Sequence, residues 1–165
     1  MQDPDSARAW QTRVPKKVKF FAWLLHRERL NTRGYIYQRN ICTLVESFCE
    51  HCKDTPETPE HIFKDCPIAR NVWESIGVSV QPGLYKQPWL LGHELPLPLS
   101  VALDVMLVIL WQLWKARNAL IFDHKHSNTR DVLQRVTDDL KSWSCRYKSL
   151  EPPLLCWREH LLSLL

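Results

Sequence analysis

Several large classes of protein are excluded by what this chain lacks. Its first ten residues, MQDPDSARAW, hold two acids and no apolar stretch, so no secretory signal is visible. There is no clear nuclear-localisation cluster or transit peptide, VPKKVK being only weakly basic. No uninterrupted apolar run reaches membrane-spanning length. Residues 99–122 come nearest, but Asp104 sits inside that stretch and Gln112, Lys115 and Arg117 follow, which predicts a buried core helix. Internal repeats are absent. So is any set of spaced acids that could hold two Mg²⁺ ions for nuclease chemistry. The expectation is an intracellular protein of a reducing compartment, nucleus or cytoplasm, with no membrane partner.

The composition is that of a globular chain: 45% hydrophobic and 24% charged over 165 residues, which argues against disorder. This length predicts one domain, or one domain with a small metal-stapled lobe. Eight tryptophans supply large core side chains, each with an indole N–H that needs a partner. Charge is unevenly placed. Residues 1–41 carry nine Lys/Arg against Asp3, Asp5 and Glu28, a balance of +6, which leaves −2 of the +4 total for the rest. A basic end of this kind suits phosphate or an acidic protein.

The periodicity predicts a mainly α fold. Val14-Pro15 sets an extended entry. Residues 16–29 read as a helix with Phe20, Trp23, Leu24 and the stem of Arg27 along one side, and residues 35–40 as a second, shorter one. Thr58-Pro59 is an N-cap followed by proline at the first helical position. Residues 69–76 form a further helix closed by Gly77. Residues 81–98, with Pro82, Gly83, Pro88, Gly92, Pro96 and Pro98, read as a linker. Beyond the core helix, Asn128 or Thr129 opens an amphipathic helix bearing Val132, Val136, Leu140, Trp143 and Tyr147. Pro152-Pro153 is expected to end it, and residues 154–165 to form a docking helix. The resulting division is a zinc-binding module with a basic helix over 1–78, a Pro-rich linker over 79–98, and a helical region over 99–165 packing on the module.

One constellation carries specific chemistry. Cys49, Cys52, His61 and Cys66 form Cys-x2-Cys-x8-His-x4-Cys, three thiolates and an imidazole, the donor set of a closed, tetrahedral, structural Zn²⁺ site. Such a site leaves no position for water and does not catalyse. On an ideal helix His61 and Cys66, five apart, stand about 140° out of phase. The helix must therefore end near Lys64 or Asp65 for Cys66 to reach the metal. Competing ligands are weaker: His51 lies inside the CxxC turn, and Cys42 suits a small apolar site. A Cys49–Cys52 disulfide is the competing chemistry, and Cys145, Cys156 and His160 match no finger spacing.

Trp10, Val14-Pro15, Lys17-Val18-Lys19, Phe21, Trp23, the Cys49/Cys52 pair, Glu57-Thr58, Glu60-His61, Phe63, Cys66-Pro67 and Trp73 together resemble the zinc-binding domain (zf-RVT type) downstream of reverse transcriptase in plant LINE-type, non-LTR retrotransposons. Trp111, Trp114-Lys115, Arg117-Asn118 and Phe122 look like the helix that follows it in those elements. The resemblance covers residues 10–76, and 105–123 more loosely, and implies a free-standing copy of the module. In the family it sits between the polymerase and, often, an RNase H-like domain. The Tyr/Phe-x-Asp-Asp box of a polymerase palm does not appear here, so only the zinc ligands carry over.

Two functions follow as expectations. The first is a nucleic-acid contact, RNA or DNA, in which Lys16, Lys17, Lys19, Arg27, Arg29, Arg33 and Arg39 neutralise phosphates while Tyr35, Tyr37 or Phe48 stacks on bases. The second is a regulatory factor recruited from a retroelement that binds a protein partner through its Trp-rich helices. Acid–base pairs such as His26 with Glu28, or His124 and His126 with Asp123, are sequence neighbours of the surface kind, and no enzyme is expected.

Overall fold

A computed structural model describes residues 3–165. Among these residues there is no β-strand, only an isolated antiparallel bridge between Phe48 and Pro56. Seven α-helices in chain order are α1 Pro4–Trp10, α2 Lys16–His26, α3 Arg33–Gln38, α4 Pro67–Ile76, α5 Ala102–Asp123, α6 Thr129–Ser142 and α7 Glu151–Ser163. The mainly α fold is as the sequence predicts; at the entry to α2, Val14 lies in a bend and Pro15 takes φ −58° and ψ 154°. Helix α1 is not anticipated there. It forms because Asp3 caps the Asp5 N–H at 3.0 Å and Pro4 occupies the first turn, where its missing N–H costs nothing.

The centre of the molecule is α5. Its residues 105–110 are essentially inaccessible to solvent, so the rest of the molecule covers the apolar stretch of this helix. Helix α2 packs on one flank, where Phe21 meets Trp111 edge-on at 5.5 Å and lies 6.0 Å from Phe63. Helix α6 also packs on α5, and α7 packs on α6, burying Val132, Leu133, Val136, Leu154, Trp157 and Leu161. Two indoles find carbonyl acceptors, Trp73 donating to Phe63 O and Trp157 to Pro98 O, each at 2.7 Å, whereas the Trp111 N–H is buried without a partner, against the expectation.

Two expectations about detail change. The buried stripe of α2 is Val18, Phe21, Ala22 and Leu25, so Phe20 and Trp23 lie on the opposite side, with Phe20 more than half exposed. Pro152 and Pro153 do not end α6. They sit in the first turn of α7, the one helical place that tolerates proline, while α6 stops at Ser142 and 3-10 turns carry Tyr147 into the core. Asn128 does open α6, through a reciprocal capping box with Asp131.

Residues 81–98 hold short 3-10 turns, Leu84–Lys86 and Pro88–Leu90, and bury Tyr85 and Leu91. Gly92 has φ +82°, and a side chain there would press on Met106 at 3.1 Å, so this segment lies close against α5.

Candidate metal centre

The first two ligands sit in a tight knuckle. The Phe48–Pro56 bridge closes its base, the Cys49 N–H donates to Thr55 O at 2.7 Å, and the Lys53 N–H donates to Cys49 O at 2.7 Å. Lys53 takes a left-handed conformation, φ +66°, to complete the turn. The backbone N–H groups of His51 and Cys52 point toward the Cys49 sulfur. This curled backbone favours an anion at that atom.

The other two ligands come from one widened helical turn. Thr58 caps it, its hydroxyl accepting from the His61 N–H at 3.1 Å, as the Thr58-Pro59 pattern predicts. Residues His61–Asp65 then form a π-turn, and the Cys66 N–H reaches back five residues to His61 O at 2.7 Å. A π-turn advances less per residue than an α-helix, so positions five apart return toward one face. Cys66 then leaves the helix with extended ψ, and Pro67 opens α4 rather than merely terminating what precedes it.

The three sulfurs and the imidazole nitrogen of Cys49, Cys52, His61 and Cys66 all lie within 4.8 Å of one another, with Cys52 Sγ 3.5 Å from His61 Nε2. Ligands bound at 2.0–2.3 Å to one tetrahedral ion stand about 3.3–3.8 Å apart, so the cluster is close to coordination size. Its electrostatics also call for a cation. A hydrogen bond from Cys66 holds the Cys49 thiol down to about 3, against the burial that opposes it. That same hydrogen bond, then burial and the charge on Cys49, push Cys66 up, while burial and then the Cys49 charge push Cys52 up. Three thiolates cannot share so small a volume without positive charge, and a divalent ion provides it. The residues present fit Zn²⁺, which would be held by all four and would supply structure, having no open position.

Other candidate ligands stay outside. All six cysteines are free thiols, so the Cys49–Cys52 disulfide does not form. Cys42 faces Arg33 O at 3.9 Å, His51 is exposed, and His160 bonds Ile76 O at 3.1 Å. Among the described residues no other group of three metal-ligating side chains gathers, Cys145 and Cys156 being exposed.

Two residues named above within the family resemblance hold the centre in place. Glu57, 1% exposed, accepts the Arg33 backbone N–H at 2.8 Å and the Arg117 guanidinium at 2.6 Å. Arg117 also lies 4.6 Å from the centre of the Trp114 ring, and Asn118 accepts from its Nη1 at 2.8 Å. Gly34 passes so close that an added Cβ would lie 2.8 Å from Glu57 O. The Glu57–Arg117 partnership joins positions sixty apart, which no helical period reveals.

The seven basic candidates part company. Lys16, Lys17, Arg27, Arg29 and Arg39 are exposed. Lys19 donates to Trp10 O at 3.1 Å, and Arg39 donates to Tyr35 OH at 2.6 Å. Arg33 is engaged internally, donating to Phe48 O and to Glu50 at 2.8 Å. Of the candidate stacking residues, Tyr37 is exposed while Tyr35 and Phe48 are half-buried. The sketched His26–Glu28 pair does not form: His26 contacts Asp3 at 3.0 Å, and Glu28 pairs with Lys86.

Residues 2–73 match the family described as zinc-binding in reverse transcriptase. Over 145 residues the chain is 28% identical to an Arabidopsis thaliana protein named as a ribonuclease H protein, an overlap of 82% of this chain and 22% of that one. The chain thus spans about a fifth of that relative's length. No solved structure matches it. The ligand pattern, the clustered donor atoms and the match agree, so residues 2–73 are similar to the zinc-binding domain of reverse transcriptases.

Proposed function

We propose that the chain is a non-catalytic module, organised by a structural Zn²⁺ on Cys49, Cys52, His61 and Cys66, that contacts nucleic acid through the basic surface of α1 to α3. The observation that carries this reading is where the acids go. All three carboxylates of residues 3–41 are occupied: Asp3 by His26, Asp5 by Arg8, Glu28 by Lys86. Among the described residues, Lys16, Lys17, Lys19, Arg27, Arg29 and Arg39 form no ion pair. That surface is left with uncompensated positive charge, which favours phosphate. The ligand thiols require a reducing compartment.

The test is twofold. Metal analysis of the purified chain should return one zinc per molecule, lost in Cys52→Ser. Affinity for labelled RNA and DNA should fall with salt, by a slope of about 0.9 per phosphate contact on duplex or about 0.7 on single strands. Binding indifferent to salt removes the nucleic-acid reading.

A protein partner is the second reading, and a groove of about 800 Å³ between residues 31–50 and the end of α5 favours it. Exposed Val45 and Phe122 line it, with Ile41 and Leu44 exposed on the same loop as Val45. Trp114 also lines it, while Trp73 and Trp157 are buried and Trp111 packs on the core.

A further inference from the structure

The outward face of α2 carries a feature that charge alone does not require. Lys16, Phe20, Trp23 and Arg27 follow one another at spacings of four, three and four, so they form a single stripe along the helix. The buried stripe of Val18, Phe21, Ala22 and Leu25 lies on the other side. Phe20 and Trp23 stack on each other with ring centres 5.9 Å apart and planes 16° from parallel, and Phe20 is 53% exposed. The Arg27 guanidinium sits 6.0 Å from the Trp23 ring centre, the geometry of a cation–π contact. Lys16 stands at the other end, fully on the surface. Helix α2, KKVKFFAWLLH, contains no acid.

We infer that this stripe is a stacking platform for the bases of a single-stranded nucleic acid, Phe20 and Trp23 taking the base faces and Lys16 and Arg27 the flanking phosphates. The inference rests on the nucleic-acid reading above and adds the strand class. An aromatic pair bracketed by cations, Phe20 exposed and Trp23 half-buried, offers a base both a π-face and charge for its backbone. A duplex offers phosphates but keeps its base faces hidden in the stack, so the aromatic pair gains nothing from it. The stripe carries no aliphatic side chain, Leu24 being packed against the core, which distinguishes it from an apolar protein-docking face. The sequence already placed these residues on one side of a helix; the finding is that this side faces solvent.

Fluorescence anisotropy with labelled 20-nucleotide oligo(U) RNA, oligo(dT) DNA and a mixed-sequence DNA duplex tests it, at two salt concentrations. The Phe20→Leu/Trp23→Leu double variant keeps apolar bulk and helix propensity but removes both π-faces. It should lose about 5- to 150-fold in single-strand affinity, the equivalent of one stacked base, and little duplex affinity. Phe20→Tyr/Trp23→Phe, which retains the rings, should stay within about twofold of wild type on single strands. Lys16→Gln/Arg27→Gln should weaken single strands and duplex together and lower the salt slope. If the wild-type chain binds all three with salt dependence but the double-Leu variant matches it on single strands, the platform is refuted and the basic-surface reading stands. The same holds if that variant loses duplex and single strands equally. If wild type binds none of the probes, both readings fall.

Discussion

The Arg117 guanidinium, on the long central helix, closes on the buried Glu57 carboxylate at 2.6 Å. Glu57 lies between the two pairs of metal ligands, and its backbone N–H and C=O bond Ser47 O and the Gly34 N–H at 2.9 and 3.0 Å. One residue therefore ties the knuckle loop, the start of α3 and the central helix together. The metal organises its loop locally, and this ion pair sets where the loop sits on α5.

Both charges are almost out of solvent, so removing one strands the other. Arg117→Ala or Glu57→Gln should each cost about 3–5 kcal/mol in urea unfolding. Arg117→Lys should recover little, because an ammonium cannot reproduce the fork that spans both carboxylate oxygens. In a double-mutant cycle the two losses should not add, and additivity would show that the partners act independently.

Gly34→Ala sets two effects of opposite sign against each other. Inside α3, alanine should gain about 1 kcal/mol over glycine in helix propensity. A Cβ 2.8 Å from the Glu57 carbonyl oxygen must displace backbone, not a pliable side chain. Overpacking of that kind costs about 1–3 kcal/mol. The net effect should be destabilising, and thermal melts will give the sign. A rise in Tm would mean the α3–Glu57 approach is looser than described.

Zinc removal should be regionally selective. In finger peptides structural zinc supplies about 10–16 kcal/mol, comparable to the whole net stability of a domain, about 5–15 kcal/mol. Chelation, or Cys52→Ser, should abolish hydrogen-exchange protection in the knuckle and lower it across residues 42–76, because among residues 48–56 only Cys49, itself a ligand, is buried. Protection in α5 and α6, which pack on each other through Leu113, Val132, Val136 and Leu140, should survive longer. Unchanged protection over 42–76 would show that the thiols hold their places without an ion.

How much of this was legible beforehand follows the range of each interaction. The ligand set could be read because its information is local: a CxxC turn, an N-cap at Thr58 and a helix forced to stop before Cys66. The need to bring His61 and Cys66 together was legible too, but not the means, since a π-turn has no periodic signature. The outward placement of Phe20 and Trp23 was missed because Val18, Phe21, Ala22 and Leu25 form an equally regular stripe on α2. Aromatic bulk alone does not say which stripe meets α5. The prolines at 152 and 153 were misassigned because proline marks both the end of one helix and the first turn of another. Glu57–Arg117 depends on tertiary proximity and leaves no trace at short spacing.

The last prediction concerns Asp104, which sits inside the central helix's first turn and is nearly buried. Its Oδ2 accepts the Arg13 backbone N–H at 2.9 Å and the Tyr147 hydroxyl at 3.0 Å, joining the entry to α2, α5 and the segment after α6. Burial pushes its carboxyl above the usual 3.8, against the pull of these two donors. A carboxyl raised in the folded state binds more protons folded than unfolded. Its contribution is therefore most favourable below the unfolded value and is lost as pH rises through the folded one. At neutral pH Asp104 costs stability relative to a neutral acceptor of the same shape. Asp104→Asn keeps an oxygen for both donors, so it should equal or exceed wild type at pH 7, with the gap closing as pH falls toward 4. Asp104→Ala orphans the buried Tyr147 hydroxyl and should lose about 1–3 kcal/mol at every pH. Urea midpoints for the three proteins between pH 4 and 8 will separate these outcomes. A wild-type advantage over Asp104→Asn that grows with pH would mean the charge itself is stabilised, reversing the assignment.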